Sequence, residues 1–328
     1  MKIFAAVFIN NLRRLAQRKS RIILFFIFTA GAVAAAAFFN SKAEIAGRIA
    51  VVSESGADIP ISSTPHLNIA TLEKPPAMSE LAAGKYDAAV VFDGSGGYAI
   101  LTVKNDDFRQ MIAAIIADPS SFSPKQADSR GRGTNILGFL MMFVFMQGIS
   151  ITFMFTEDKD KKQIKRIAAS PVPFPQYLCA HSLFAYLFIL VPTMATILAA
   201  HYAFGVDIGL KIMDFFLLLA ALCALSVSFA LFLDAMAKDG DSANMIGSAV
   251  IVLTSALAGS FYSFEKGNKI LEAIIKVLPQ KAFLSMSELI EQGKGISLWY
   301  HYGLYIAILA VLFFAAAAIK TRHDYVKG

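Results

Sequence analysis

Hydrophobic residues are grouped along this chain into six long stretches that contain no Asp, Glu, Lys or Arg. These stretches cover residues 22–39, 135–155, 181–204, 215–233, 245–262 and 300–319. A helix that crosses the hydrocarbon core of a membrane needs about 20 mostly apolar residues, and each stretch meets or approaches that length. The pattern therefore predicts a mainly α-helical membrane protein with six transmembrane helices.

Residues 40–134, between the first two stretches, contain short strand-like and helix-like segments, which together predict a small α/β domain. Four runs rich in β-branched and aromatic residues are predicted as strands: RIAVV (48–52), LNIAT (67–71), YDAAVVF (86–92) and YAILTV (98–103). Helices are predicted at 78–83 and 107–117. Residues 118–134, rich in Pro, Ser, Gly and Arg, are predicted as a flexible tether to the second span.

Three amphipathic or charged segments lie outside the spans and the α/β domain. Residues 1–21 are predicted as a cytoplasmic amphipathic helix, which either anchors the chain beside anionic lipid or contacts a cytoplasmic partner. The other two segments, described next, belong to the predicted five-helix transmembrane region, residues 135–328. Residues 156–180 contain a charged helix that ends in a proline-rich stretch. Residues 263–299 contain two short amphipathic pieces, predicted as an outer re-entrant segment.

Composition and charge fix the expected orientation. The chain is 56% hydrophobic and 16% charged, whereas soluble domains carry about 25% charged residues. The net charge of +6 comes from residues that flank the spans, so it does not indicate nucleic-acid binding. Residues 1–21 hold basic residues and no acid, which keeps the N-terminus in the cytoplasm by the positive-inside rule. Six crossings return the C-terminus there and place residues 40–134 outside the cell.

A cleaved signal peptide over residues 1–43 is the alternative to a retained first helix. Its hydrophobic run is 18 residues long, whereas the apolar region of a signal peptide has about 7 to 15, so we favour the retained helix. The only two cysteines, Cys179 and Cys223, lie outside the α/β domain, and no disulfide framework is predicted. This pattern suits a bacterial cell membrane.

Motifs for several kinds of chemistry are missing from the sequence. It has no phosphate-binding GxxxxGK[ST] motif, no histidine pair at metal-ligand spacing, and no GxSxG motif. The six spans hold no ionisable group near their centres, which disfavours an ion-coupled carrier. We therefore expect a chain that is not an enzyme, binds no cofactor or metal, and obtains its energy from another subunit.

The loop after the second span contains a helix with one apolar face. Ile164, Ile167 and Ala168 recur at helical spacing, and the helix should stop near Ser170 because Pro171 cannot continue it. A fully solvated loop would not need an apolar face. The pattern therefore indicates a docking surface.

The order of these features resembles the ABC type-2 exporter permeases that carry a large outer domain after the first span. RIAVVSESG and SELAAGKYDAAVVF are similar to the outer-domain pattern of that subgroup. After the second span the family has a helix of the form E-R-E-x-G-T and a Ser-Pro-Val segment. Here TEDKDKKQIKRIAASPV keeps Glu157, Arg166, Ser170, Pro171 and Val172, whereas Lys161 and Lys162 stand where Gly-Thr would fall. LAGSFYSFEKGNKILEAIIKVLPQKAF is similar to the family's outer re-entrant pair.

The resemblance implies an export permease that pairs with a second copy or a paralogue and binds cytoplasmic ABC ATPase subunits. It implies that residues 157–173 form the helix that couples the permease to the ATPase. Ile164 and Ile167 would pack into an ATPase groove, while Glu157 and Arg166 would set orientation by charge. The residues assigned to coupling are Glu157, Lys161, Ile164, Arg166, Ile167, Ser170 and Pro171.

The uncharged spans favour a lipid-like, amphipathic or antimicrobial-type cargo that moves along a dimer seam. Candidate residues along its path are Phe139, Met142, Phe143, Met146 and Gln147. Core packing or lipid contact is the alternative for the apolar four, and an interhelical hydrogen bond is the alternative for Gln147. The competing function is a membrane-anchored receptor or assembly scaffold, whose outer domain binds a partner without transport.

Overall fold

The computed structural model describes ten parts of the chain. They are residues 2–43, 47–53, 67–72, 74–82, 85–92, 97–103, 106–117, 131–169, 173–260 and 269–326. The chain forms two compact units. One is helical and consists of Met1–Ala37 and Arg130–Gly328, and the other consists of Phe38–Ser129 and contains the sheet.

The described elements are thirteen helices and four strands. In chain order they are α1 (Lys2–Ala16), α2 (Lys19–Ala43), β1 (Gly47–Ser53), β2 (Leu67–Leu72), α3 (Met78–Ala82), β3 (Ala88–Phe92), β4 (Tyr98–Leu101), α4 (Asp106–Ala117), α5 (Arg132–Ile151), α6 (Phe153–Asp160), α7 (Gln163–Ala168), α8 (Phe174–Phe204), α9 (Ile212–Met236), α10 (Gly240–Leu257), α11 (Lys269–Val277), α12 (Pro279–Glu291) and α13 (Ile296–Val326).

Four helical segments among the described residues are long and apolar enough to cross a membrane. They are Arg132–Asp160, Phe174–Phe204, Ile212–Met236 and Ile296–Asp324, and they coincide with four of the six predicted spans. The other two predicted spans, 22–39 and 245–262, fall on α2 and α10. The apolar helix found within α2 is shorter, Phe25–Ala36, so these two crossings and the outside location of residues 40–134 stay predictions.

Helix α9 lies at the centre of the helical unit, where it packs against α5, α8 and α13. Phe215, Leu219, Leu222 and Cys223 on this helix have no exposed surface. Lipid tails are as apolar as these side chains, so within a membrane close packing rather than exclusion of water holds such helices together. Gly148 permits a close approach of α5 to α9, because a Cβ there would overlap the Ser226 side chain.

The smaller unit contains a four-stranded mixed sheet in the order β2-β1-β3-β4. Strand β1 pairs in parallel with β2 and with β3, whereas β3 and β4 are antiparallel. Its buried cluster joins the two central strands to α4 through Ile49, Val51, Ala88, Val90 and Ile112. The four strands coincide with the four predicted ones. Most of the predicted tether, 118–130, lies outside the described residues, and α5 already begins at Arg132.

Candidate functional site

Helix α1 packs along the beginning of α8 instead of standing apart from the bundle. Leu15 is buried in the core of the helical unit. The ring of Phe8 meets that of Phe184 edge-on at 5.4 Å between centroids. The apolar face that the sequence assigns to lipid or to a partner is thus used at least partly within the chain, while Ile9 and Leu12 remain about half exposed.

Arg14 joins α1 to the end of the second predicted span. Its guanidinium donates to Asp158 Oδ1 at 2.9 Å and to Glu157 Oε2 at 2.8 Å, and a third bond reaches the carbonyl of Met154 at 3.3 Å. Partial burial acts to lower the pKa of Arg14, but the hydrogen bond to Glu157 and the charge of Asp158 outweigh it and raise that pKa. Arg14 therefore carries a fixed positive charge against two carboxylates.

Glu157 is held by three basic side chains. Besides Arg14, the guanidinium of Arg18 donates to both carboxylate oxygens at 3.1 Å, and Lys161 Nζ lies 2.6 Å from Oε1. The Arg18 guanidinium also lies over the ring of Phe153, 4.6 Å from its centroid, which is a favourable cation–π arrangement. The expected coupling residue Glu157 thus faces its own chain.

Asp158 extends the same contacts to α8. Tyr177 donates its hydroxyl hydrogen to Asp158 Oδ2 at 2.6 Å, and His181 Nε2 lies 3.3 Å from the same oxygen. The side-chain nitrogen of Asn11 lies 3.1 Å from His181 Nδ1. An amide nitrogen can only donate, so Nδ1 accepts and Nε2 carries the hydrogen that points to Asp158.

These contacts define a polar cluster that connects α1, α6 and α8. Its members are Asn11, Arg14, Arg18, Glu157, Asp158, Tyr177 and His181. The side chains of Asp158 and His181 are only 4% and 5% exposed, and a buried charge is costly unless it is paired and hydrogen-bonded. Separating α1 from α6 would leave Asp158 with fewer partners, so the three helices should move together.

The sequence predicts a helix near residues 157–170 whose apolar face meets a partner, and the structure turns that face inward. Ile164 is fully buried and Ile167 packs against the same core, because α7 packs against α6 and α13. The helix is also interrupted at Lys162, which has a φ of 56°. The coupling role of residues 157–173 stays a prediction. In the described part of this segment the basic side chains lie on the surface.

Four basic residues around this break are exposed: Lys161, Lys162, Lys165 and Arg166. Of the coupling candidates, Lys161 and Arg166 are therefore exposed, whereas Glu157 is partly buried and Ile164 fully buried. Ser170 and Pro171 lie outside the described residues. The exposed part of the predicted coupling segment is basic rather than apolar.

The candidate cargo-path residues lie on one side of α5. Phe139, Met142, Phe143 and Met146 are partly buried against the core, and the ring of Phe143 is 6.0 Å from that of Phe28 on α2. Buried Gln147 donates to Thr29 Oγ1 at 2.8 Å. The interhelical hydrogen bond given as the alternative for Gln147 is therefore present, and a cargo path along this face remains a prediction.

Sequence reasoning missed most of the polar cluster. In the sequence, Arg14 and Arg18 belong to the predicted cytoplasmic amphipathic helix of residues 1–21, and His181 is the first residue of the third predicted span. A signal did exist: Asn11, Arg14 and Arg18 share one helical face, and Tyr177 and His181 are four residues apart. A charged and polar stripe on a short N-terminal helix needs a partner of opposite charge.

Comparison with known proteins identifies the family. The sequence model of the family described as ABC-2 family transporter protein matches residues 72–319. Among curated proteins no match to the chain is found. The matched region includes α5 to α12 and most of α13, with the acidic half of the polar cluster, whereas α1 with its arginines precedes it. The match covers well over half of the chain, which therefore belongs to the ABC-2 family of transporter proteins and is a membrane permease of the ABC transporter type.

Proposed function

We propose that this chain is the permease subunit of an ATP-driven exporter that pairs with a second copy or a paralogue. Separate cytoplasmic ATPase subunits power it, and both of its termini lie in the cytoplasm of a bacterial cell. It moves lipid-like, amphipathic or antimicrobial-type cargo outward from the cytoplasm or the inner leaflet. The family match supports the transport role, and the polar cluster with its adjacent basic surface supports the ATPase-coupling part.

The polar cluster supports coupling because it joins the end of a long helix to two other helices. Helix segment Arg132–Asp160 is apolar for most of its length, and at its end Glu157 and Asp158 bind α1 and α8. A partner that pushes on α6 and α7 would therefore displace α1 and the start of α8 as well. A local push can in this way become a movement of helices within the membrane.

The exposed basic residues indicate the chemistry of the docking partner. Lys161, Lys162, Lys165 and Arg166 lie together after the end of α6 and along α7. Such a surface favours an ATPase face that carries acidic residues, because complementary charge steers association and fixes orientation. In this proposal the buried Ile164 keeps α7 in place, and the basic side chains make the contact.

The test is co-purification of the ATPase subunit with a tagged permease carrying Lys165→Glu and Arg166→Glu together. We expect recovery of the ATPase to fall at least about tenfold, since like charges across an interface are strongly unfavourable. The matched control is Lys211→Glu with Lys294→Glu. Both of these lysines are exposed and lie just before the first residues of α9 and α13. Undiminished recovery from the first variant would contradict the proposed docking surface.

A further inference from the structure

A cavity of about 340 Å³ lies where the end of α5, α6 and the junction of α9 and α10 meet. Small-molecule sites have volumes of about 300 to 1,000 Å³, so it can hold a compact ligand. Ile149 and Phe153 supply apolar wall, while Asp160, Asp234 and Asp241 supply carboxylates. The cavity thus combines an apolar surface with several acidic groups, as a site for an amphipathic molecule would.

The described lining of the cavity holds more acidic than basic residues. Arg18 is the one basic residue among the described residues that line it. Its guanidinium is already bonded to both oxygens of Glu157, also a lining residue, and lies over Phe153. Arg18 and Glu157 therefore compensate each other. The remaining carboxyl groups, those of Asp160, Asp234 and Asp241, have no further basic residue beside them among the described lining residues.

Asp234 provides a specific point of attachment. Asp234 is only 3% exposed, and its carboxylate oxygen Oδ2 is buried with no hydrogen-bond partner. The nearby ammonium group of Lys159 donates instead to the backbone carbonyls of Asp234, at 3.0 Å, and Ala237. Buried polar atoms in native proteins nearly always have a partner, and an orphaned one indicates a missing donor. The hydroxyls of Thr152 and Thr156 act on the same carboxylate, but Oδ2 itself has no hydrogen-bond partner among the described residues. A donor that enters the cavity would satisfy it.

We propose that this cavity binds the protonated amine of an amphipathic organic cation. The ammonium N–H group donates to Asp234 Oδ2, and the apolar body packs against Ile149 and Phe153. A metal ion fits less well, because no three His, Cys, Asp or Glu residues in the described parts of the chain are grouped to hold one. The inference rests on the proposed export function and narrows its cargo to cationic amphipaths.

The test is binding of dansylcadaverine, a fluorescent primary amine with an apolar ring system, to the purified full-length chain in detergent. We expect saturable binding that Asp234→Asn weakens at least about tenfold, because the variant removes a charge-assisted hydrogen bond. The control is Asp214→Asn, which makes the same charge change near the opposite end of α9. We expect it to change the affinity by less than about twofold. Equal weakening by the two variants, or none by Asp234→Asn, would overturn the proposal.

A second comparison uses the unaltered chain, so it stands even if Asp234→Asn fails to fold. The N-acetylated form of the same dye keeps the apolar body but cannot carry the charge. We expect it to bind at least about tenfold more weakly than the amine, and equal binding of the two dyes would refute an ammonium site. Neither assay contains the ATPase. Failure of the dye to bind would therefore not contradict the proposed docking surface for the ATPase. Failure of the co-purification test would likewise not contradict amine binding in the cavity.

Discussion

Replacing Arg14 with Met is the most informative perturbation of the polar cluster. The substitution keeps an unbranched side chain on α1 and removes the guanidinium that binds Asp158 and Glu157. Glu157 retains Arg18 and Lys161 as partners. Asp158, whose side chain is 4% exposed, loses its arginine and retains only hydrogen bonds from α8.

The expected cost follows from burial. Breaking a fully buried ion pair costs about 3 to 5 kcal/mol, and an exposed pair contributes about 0.2 to 1 kcal/mol. Arg14 is 20% exposed and Asp158 4%, so the pair lies nearer the buried limit, and we expect a loss of about 2 to 3 kcal/mol. For a cooperative unit of roughly 200 residues this lowers the unfolding midpoint by about 5 to 10 °C.

A thiol-reactive fluorescent dye can follow this unfolding in detergent. Cys223 is buried in α9, whereas Cys179 is exposed. In a Cys179→Ser background the dye therefore reports exposure of the core. Arg13→Met is the matched control, because Arg13 is the exposed neighbour on the same helix, and it should change stability by less than about 0.5 kcal/mol.

Two results would refute this reasoning. The first is an Arg14→Met midpoint equal to that of Arg13→Met. The second comes from the double-mutant cycle with Asp158→Asn. Contacting charged residues should show a coupling of about 0.5 to 3 kcal/mol, and additivity of the two substitutions would mean that the ion pair contributes no stability of its own.

Three further predictions concern other parts of the helical unit. Lys162→Gly should raise stability by about 0.5 to 1 kcal/mol, because Lys162 has a φ of 56° and glycine adopts that conformation without the Cβ penalty. Glu291→Gln should lower stability by about 1 to 2 kcal/mol, since this carboxylate accepts two backbone N–H groups at the start of α5. The N–H of Gly209 and then Arg132 lower the pKa of Asp207, so the stability from Asp207 is present above about pH 4 and is lost as the pH falls further.

For each of these three predictions, one further substitution provides a result that would contradict it. Lys161→Gly, where φ is −78°, should not stabilise, so equal gains at Lys161 and Lys162 would rule out relief of strain. Glu288→Gln lies one helical turn before Glu291, and an equal loss there would remove the capping explanation. Asp207→Asn should flatten the fall in unfolding midpoint between about pH 5 and pH 3, and an unchanged slope would contradict the assigned pKa shift.

The long helices and the strands could be predicted because their signals are local. A run of apolar residues needs no partner to be recognised, and four such runs coincide with segments able to cross a membrane. The ends were harder to predict. Helix α8 begins at Phe174, seven residues before the predicted span starts at residue 181. Tyr177 and His181 look like a polar boundary in the sequence, but they lie inside the helix and bind Asp158.

The candidate site could not be predicted to the same extent because its contacts join distant parts of the chain. Asn11 and His181 are 170 positions apart, and Arg14 and Asp158 are 144 apart. The sequence shows correctly that α7 has an apolar face, but Ile164 is equally suited to the chain's own core and to a partner's groove. Only the packing of α7 against α13 decides between these two uses.

The most direct test of the proposed function is the ATP turnover of the separate ATPase subunit after reconstitution with this chain in lipid vesicles. The account predicts that the permease stimulates turnover and that Lys165→Glu with Arg166→Glu removes the stimulation, whereas Lys211→Glu with Lys294→Glu preserves it. A receptor or scaffold would leave turnover unchanged. Equal ATP hydrolysis with and without the chain would therefore contradict the claim that it is an ATP-driven permease.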